Sequence, residues 1–479
     1  MVAPSETTIR GLRLDPLPMR PTLQRRLRAL LSPLHPRKVW GRARHLAHRL
    51  GYHRLRLWVI GFHPRRIANT VRWGLELRRT LRRRREEERL TVAVDVSALW
   101  EPLTGIGWYL YRLLEQLAER DDLRLRLYGP DVVDKGDVRP PVVELPSGPA
   151  IEVVRYRVPE NLSFVHYYLA EKLRRRQDRL IAADGNRVLF APNYFLPPWF
   201  DRCRGRLVAT VHDLSVERVP ETLRESTRLD LARQLRRTAA RATRVLTDSE
   251  AVRAEVIDAG LAEPSRVRAV HLGPGTATAT AADAGTDAAP AEPPARTPAR
   301  YVLHVGTVEP RKNLPALLEA WRELRRRGVE PPPLVLCGGL GWKTEAIEGE
   351  LEAASGEGWL HHFGYLADGE VAALYRGALL VAMPSIYEGF GLPAVEAMCA
   401  GVPLVCSEIP VLREVAGEAA LYAPPDRPDL WADRLAELLA DPELRAELAR
   451  RGRDRARRFD WRRTAAETAE VFREAALTE

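Results

Sequence analysis

Residues 378–408 read ALLVAMPSIYEGFGLPAVEAMCAGVPLVCSE, and this stretch decides the fold. Two apolar runs, ALLVAMPS and VPLVCSE, flank a glycine-rich turn and an apolar segment entered through Pro393. Short continuous apolar runs are the mark of strands buried on both faces, and proline is at home in a first helical turn. The unit is therefore strand, helix, parallel strand.

Upstream the alternation repeats: YVLHVGT (301–307), a helix from Leu314, PLVLCGG (333–339), a helix from about Thr344, HHFGYL (361–366) and a helix from about Asp368. Such regularity predicts a doubly wound parallel sheet. An earlier series begins with TVAVDVS (91–97), followed by a helical face at Leu110, Leu113, Leu114 and Leu117 and by the strand LRLRLY (123–128). Three further strands lie in RVLFAPNYFLPPW, GRLVATVHDLSV and RATRVLTDSEAVRAEVI. The expected class is α/β, with two Rossmann-like parallel-sheet domains facing across a cleft.

The 479 residues exceed what one core organises. The expected domains are a basic N-terminal extension (1–89), a first Rossmann-like domain (90–275), a linker (276–299) and a second domain (300–479) whose last helix returns to the first. The linker is called from TATATAADAGTDAAPAEPPARTPAR, which has almost no large apolar residue with which to order itself. Cys203, Cys337, Cys399 and Cys406 show no CxxC spacing and no histidine partner nearby, so reduced thiols in a cytoplasmic protein are expected rather than a zinc site or a disulfide framework. No run of 18 apolar residues is present.

Charge is unevenly distributed. Residues 1–90 hold 23 Lys+Arg against 6 Asp+Glu, a balance of +17 in a chain of net +10, so the remainder is −7. Trp73, Leu77 and Leu81 recur at four-residue spacing among Arg72, Arg78, Arg79 and Arg82 to Arg85. That pattern fits a basic amphipathic helix at an anionic membrane surface. It equally fits a solvated arm or an extension from a misassigned start. Nucleic-acid binding is not expected, because no recognition motif accompanies the arginines.

In open α/β sheets the ligand crevice lies at the carboxyl ends of the strands, which makes Asn193, His212, Asp213 and Ser249 candidates by position. Ser249 also fits a plain helix start, and Asp213 either holds His212 or caps the segment that follows. In EPLTGIGWYL, Gly105 and Gly107 fit either a close backbone approach to a ligand or a tight turn. Arg311 and Lys312 follow the strand YVLHVGT, where a diphosphate would sit; arginine grips phosphate oxygens bidentately and lysine adds a point charge. Gly389 and Gly391 expose backbone N–H groups at the positive end of the helix near Pro393, and bulk at either is expected to obstruct a ligand. Glu388 and Glu396 stand eight positions apart and need not touch. Two carboxylates also fit glycoside hydrolysis, but a phosphate clamp between two Rossmann-like domains does not serve it.

HVGTVEPRKNL, FGYL, LYRGA, PSIYEGFGLPAVEAMCAGVPLV and FDWRRTAAET, with TGIG, TVHDLS and TDSEAV in the first half, resemble the family 4 nucleotide-sugar glycosyltransferases, retaining enzymes of the GT-B fold. The similarity runs from about Thr91 to the C-terminus. It implies a donor site in which Glu388 meets the donor sugar, Glu396 meets the ribose hydroxyls and His212 stands near the sugar. It also implies donor contacts at Gly306, Tyr365, Phe390 and Leu392. Within the family the chain resembles bacterial mannosyltransferases of surface polysaccharide synthesis. GDP-mannose is the implied donor and a saccharide or lipid-linked sugar the implied acceptor, with no cofactor or metal. UDP-sugars and dTDP-rhamnose stay open as donors, and a catalytically inactive scaffold or an epimerase as functions. Trp108 departs from the family, which often has arginine after TGIG.

Overall fold

The computed structural model describes residues 89–275 and 291–478, apart from 101, 102, 104, 135, 136, 140, 160–177 and 180. The basic extension, with its expected amphipathic helix, and most of the linker lie outside the described residues.

The first lobe comprises β1 (Leu90–Asp95), α1 (Gly105–Leu117), β2 (Leu123–Asp134), β3 (Asp137–Arg139), β4 (Ile151–Pro159), β5 (Val188–Ala191), β6 (Arg206–Val211), α2 (Glu225–Arg241), β7 (Arg244–Thr247), α3 (Glu250–Asp258) and β8 (Val267–Ala269). Its sheet has the order 3-2-1-5-6-7-8, with β4 also paired to β2; every pairing is parallel except β2 with β3. Leu110, Leu113, Leu114 and Leu117 of α1 are all fully buried, as their spacing predicts.

The second lobe comprises β9 (Val302–Val305), α4 (Leu314–Arg326), β10 (Leu334–Cys337), α5 (Glu345–Gly356), β11 (Leu360–His362), α6 (Asp368–Gly377), β12 (Leu380–Met383), α7 (Leu392–Ala400), β13 (Leu404–Ser407), α8 (Pro410–Ala416), β14 (Ala420–Ala423), α9 (Pro428–Ala440) and α10 (Pro442–Ala456). The strand order is 11-10-9-12-13-14, all parallel. Residues 378–408 thus form one βαβ unit. β12 and β13 are buried along their whole length, which is why they read as unbroken apolar runs. Between them Gly391, at φ 88°, caps α7, and Gly401, at φ 69°, ends it.

The strand order reverses between β9 and β12, where an open parallel sheet forms a crevice. The final helix, α11 (Trp461–Leu477), follows the second lobe in sequence and packs on the first. Phe472 meets Phe190 at 5.1 Å between ring centroids, and Glu470 and Glu474 pair with Arg268 at 2.8 and 3.0 Å. Other bonds join the lobes directly. Tyr387 donates to Glu255 and accepts from the Leu214 amide, at 2.7 and 2.8 Å. Glu414 of α8 accepts the first two amides of α3 at 2.7 and 2.8 Å, a carboxylate on the positive end of a helix.

Candidate active site

Arg311 and Lys312 leave β9 in a single helical turn that ends at Asn313, a left-handed residue with φ 53°. The Asn313 side-chain Nδ2 donates to the Pro384 and Pro425 carbonyls at 3.0 and 2.8 Å, tying the loops after β9, β12 and β14 together. The Ile386 amide donates to the Arg311 carbonyl at 3.0 Å. Residues 76 positions apart in sequence are thereby held side by side at the reversal point of the sheet.

Glu388 is the hub. One carboxylate oxygen accepts from Lys312 Nζ at 2.6 Å and from Ser385 Oγ at 2.7 Å, and the other accepts from Arg311 at 2.8 Å. Arg311 also donates to Glu309 at 2.6 Å and to the Tyr387 carbonyl at 3.0 Å. Burial alone would raise the Glu388 pKa, but Lys312 and then Arg311 hold it down to about 2. Burial works against the Arg311 charge, and Glu388 and Glu309 more than compensate, raising its pKa. Four ionised groups balance to zero. Behind them His304 is buried and neutral, its Nδ1–H donating to the Ala382 carbonyl at 2.9 Å, its pKa pushed down to about 4 by burial.

Across the cleft, His212 stands at the end of β6 with Nδ1 2.7 Å from Asp248 and Nε2 2.8 Å from the Pro192 carbonyl. The Tyr109 ring meets it edge-on at 4.8 Å. Asp213 lies near enough to Arg311 to help sustain its charge, so His212–Asp213 and Arg311–Glu388 form one neighbourhood. Asp213 does not hold His212. Its carboxylate accepts from the Ser215 amide at 2.9 Å, the capping alternative, and Asp248 holds the histidine instead. Asn193 likewise turns back on its own chain, accepting from the Phe195 amide at 2.7 Å.

Several expectations take a different physical form. Bulk at Gly389 would first strike protein: a Cβ there would lie 2.0 Å from the His212 carbonyl oxygen and 3.1 Å from Asp213 Cβ. The Gly389 carbonyl accepts from Ser249 Oγ at 2.8 Å, so this glycine lets the lobes touch. Ser249 both begins α3, accepting from the Val252 amide, and makes that contact. The Gly391 requirement is its left-handed φ, with Leu412 2.7 Å from where a Cβ would be. Phe390 is a packing residue in its side chain, buried against Phe459 at 5.6 Å and His271 at 5.9 Å. Gly107 is packed under Leu103 and the Ala98 carbonyl, whereas Gly105 opens α1 with free space around it.

Glu396 sits one turn into α7, buried, accepting from Tyr375 OH at 2.8 Å. Leu392, the first residue of α7, is partly buried. Gly306, at φ 153°, brings the chain after β9 past Lys312, whose Cε would be 3.3 Å from a Cβ. Tyr365, in the loop after β11, is 72 % exposed. Asp248, Glu309, Ser385 and Tyr375 were not singled out from sequence, although each lies inside a quoted motif and Asp248 ends a strand just as His212 does. Among the described residues, no group of three or more His, Cys, Asp or Glu side chains is arranged to hold a metal ion, and no helix is long and apolar enough to cross a membrane.

Two Rossmann-like lobes meeting over this cluster define the GT-B class of glycosyltransferases. The family model for Glycosyltransferase Family 4 matches residues 103–274 and that for Glycosyl transferases group 1 matches residues 286–455. An O-antigen chain mannosyltransferase B of Escherichia coli is 30% identical over 388 residues, 78% of this chain and 96% of that protein. A D-inositol 3-phosphate glycosyltransferase of Salinispora arenicola is 30% identical over 421 residues, 80% of this chain and 91% of that protein. Among solved structures, the sucrose-phosphate synthase of Thermosynechococcus elongatus superposes with a TM-score of 0.60 at 22% identity, over 81% of this chain and 99% of that one. Anabaena HepE in complex with UDP-glucose gives 0.57 at 17% identity, over 80% and 99%. The chain belongs to the family 4 glycosyltransferases and is a glycosyltransferase.

Proposed function

We propose that the protein is a retaining glycosyltransferase that moves mannose from GDP-mannose to a saccharide or lipid-linked acceptor in surface-polysaccharide synthesis. The observation that carries this is the Arg311–Lys312–Glu388 cluster at the reversal point of the second sheet, opposite His212. As the sugar–phosphate bond breaks, negative charge grows on the diphosphate, and two fixed cations meet it there without reorganisation.

Two features favour reaction on one face of the sugar. Both Glu388 oxygens are held by Lys312, Ser385 and Arg311, which makes Glu388 a poor nucleophile but a rigid contact for sugar hydroxyls. Both His212 ring nitrogens are engaged, one by Asp248 and one by the Pro192 carbonyl, so neither is open to an acceptor hydroxyl. The acceptor hydroxyl therefore loses its proton to an oxygen of the departing diphosphate while the new C1–O bond forms on the same face. Buried Glu396 is suited to the two ribose hydroxyls.

Mannose is preferred because an O-antigen chain mannosyltransferase and a serotype-specific mannosyltransferase are among the relatives. The inositol-phosphate relatives favour a second reading, a different donor with a phosphorylated cyclitol acceptor. Calorimetry with GDP, UDP and dTDP on wild type, Arg311→Ala and Lys312→Ala separates them. GDP should bind most tightly, and each substitution should cost about 1.5–3 kcal/mol. Equal affinity in all three proteins would remove the clamp, and a preference for UDP would remove the mannose donor. Residues 1–89 are proposed to hold the enzyme at the cytoplasmic face of an anionic membrane; truncation before Leu90 should abolish liposome co-sedimentation and leave nucleotide binding intact.

A further inference from the structure

His212 is held by two groups that can only accept while Asp248 is ionised. The Pro192 carbonyl, 2.8 Å from Nε2, requires a proton on that nitrogen. Asp248, 2.7 Å from Nδ1, is a carboxylate at a distance typical of a charge-assisted hydrogen bond. A neutral ring would point a lone pair at one of them. The pair therefore holds one proton more than a neutral histidine beside an ionised aspartate.

That proton can sit on the ring or on the Asp248 carboxyl, and the neighbours of the ring favour the ring. Burial would lower the His212 pKa, and the Asp248 carboxylate, the Pro192 carbonyl and Asp213 outweigh it. Tyr109, packed edge-on against the ring, is un-ionised, its hydroxyl bonded to Thr210 at 3.0 Å. Burial raises the Asp248 pKa, opposed first by His212 and last by His271. The next residue, Ser249, donates to the Gly389 carbonyl, and Gly389 in turn abuts the His212 carbonyl. One dipeptide at the end of β7 thus fixes both residue 212 in the first lobe and residue 389 in the second.

We propose that Asp248 is a positioning residue for sugar transfer: with the Pro192 carbonyl it locks the His212 ring as an imidazolium, so that His212–Asp213 meets the Arg311–Glu388 cluster as an immobile wall and not as a proton acceptor. The role in transfer rests on the donor site proposed above; the protonation of the ring does not.

The test uses the full chain labelled with 15N-histidine, without nucleotide, between pH 6 and 8.5, with His212 assigned by its disappearance in His212→Gln. Wild type should show both ring nitrogens protonated at pH 7. Asp248→Asn should show one, because its amide can donate to Nδ1 while Nε2–H keeps the carbonyl. Asp248→Asn should lower kcat by about 10- to 100-fold, the range found where a carboxylate orients a working histidine. GDP affinity should be unchanged, which also shows that the variant is folded. Asp248→Glu should restore the doubly protonated ring and part of kcat. A singly protonated His212 in wild type at pH 7 would overturn the proposal. So would wild-type kcat in an Asp248→Asn protein that has lost the second ring proton. A wild type that binds no nucleoside diphosphate would overturn the donor site instead, and the ring signature tells the two failures apart.

Discussion

Glu388→Gln keeps the shape of the central carboxylate and deletes its charge. Glu309, Arg311, Lys312 and Glu388 balance in the wild type; the variant leaves one excess positive charge where the Lys312 side chain is only 10 % exposed. Neutralising one partner of a buried ion pair costs about 3–5 kcal/mol. The same contacts expressed as linkage give a similar size: lowering the Glu388 pKa from 4.5 to about 2 corresponds to about 3 kcal/mol of stability at neutral pH. At roughly 2–4 °C per kcal/mol for a lobe of this size, the melting temperature should fall by roughly 6–12 °C. GDP brings the missing negative charge, so the same variant should be stabilised by GDP more than wild type is, while turnover drops about 10²-fold through loss of the sugar contact. Thermal unfolding by circular dichroism with and without GDP, alongside donor kinetics, reads all three effects. A melting temperature within about 2 °C of wild type, or a smaller GDP-induced shift in the variant, would refute the charge balance.

Glu309→Gln removes the other counter-ion of Arg311 and should tighten GDP binding about fivefold, roughly 1 kcal/mol, by calorimetry; weaker binding would mean that Glu309 positions Arg311 instead of opposing the ligand. Gly389→Ala should lower turnover about 10²-fold, because its Cβ, 2.0 Å from the His212 carbonyl, forces the lobes apart; wild-type kinetics would mean that this contact is not needed. Acid titration gives a sign check on Glu388. Its folded pKa is depressed, so the stability it contributes is complete above about pH 4.5 and is lost as pH falls towards 2; Glu388→Gln should lose less stability than wild type across that window.

The strands were legible because burial on both faces leaves continuous apolar runs, as in β12 and β13, and the candidate residues because ligands gather where such strands end. Partnership was not legible. That Glu388 closes on Arg311 and Lys312 depends on β12 lying beside β9, an adjacency separated by β10 and β11 in sequence. That Gly389 abuts His212 was not legible, since a sequence window holds no trace of a residue from the other lobe. Asp248 was within reach of the same positional rule that selected His212, because β6 and β7 are neighbours and both end in polar residues.

Transfer of mannose from GDP-mannose with its configuration kept, as proposed above, can be read from the proton NMR spectrum of the product formed by the full chain. Incubation with GDP-α-mannose and a mannosyl acceptor should release GDP and give a new glycoside whose anomeric proton and one-bond C1–H1 coupling are those of an α-linkage, formed more slowly when Arg311→Ala replaces the wild type. A β-linked product, or free mannose with the acceptor unchanged, would contradict it.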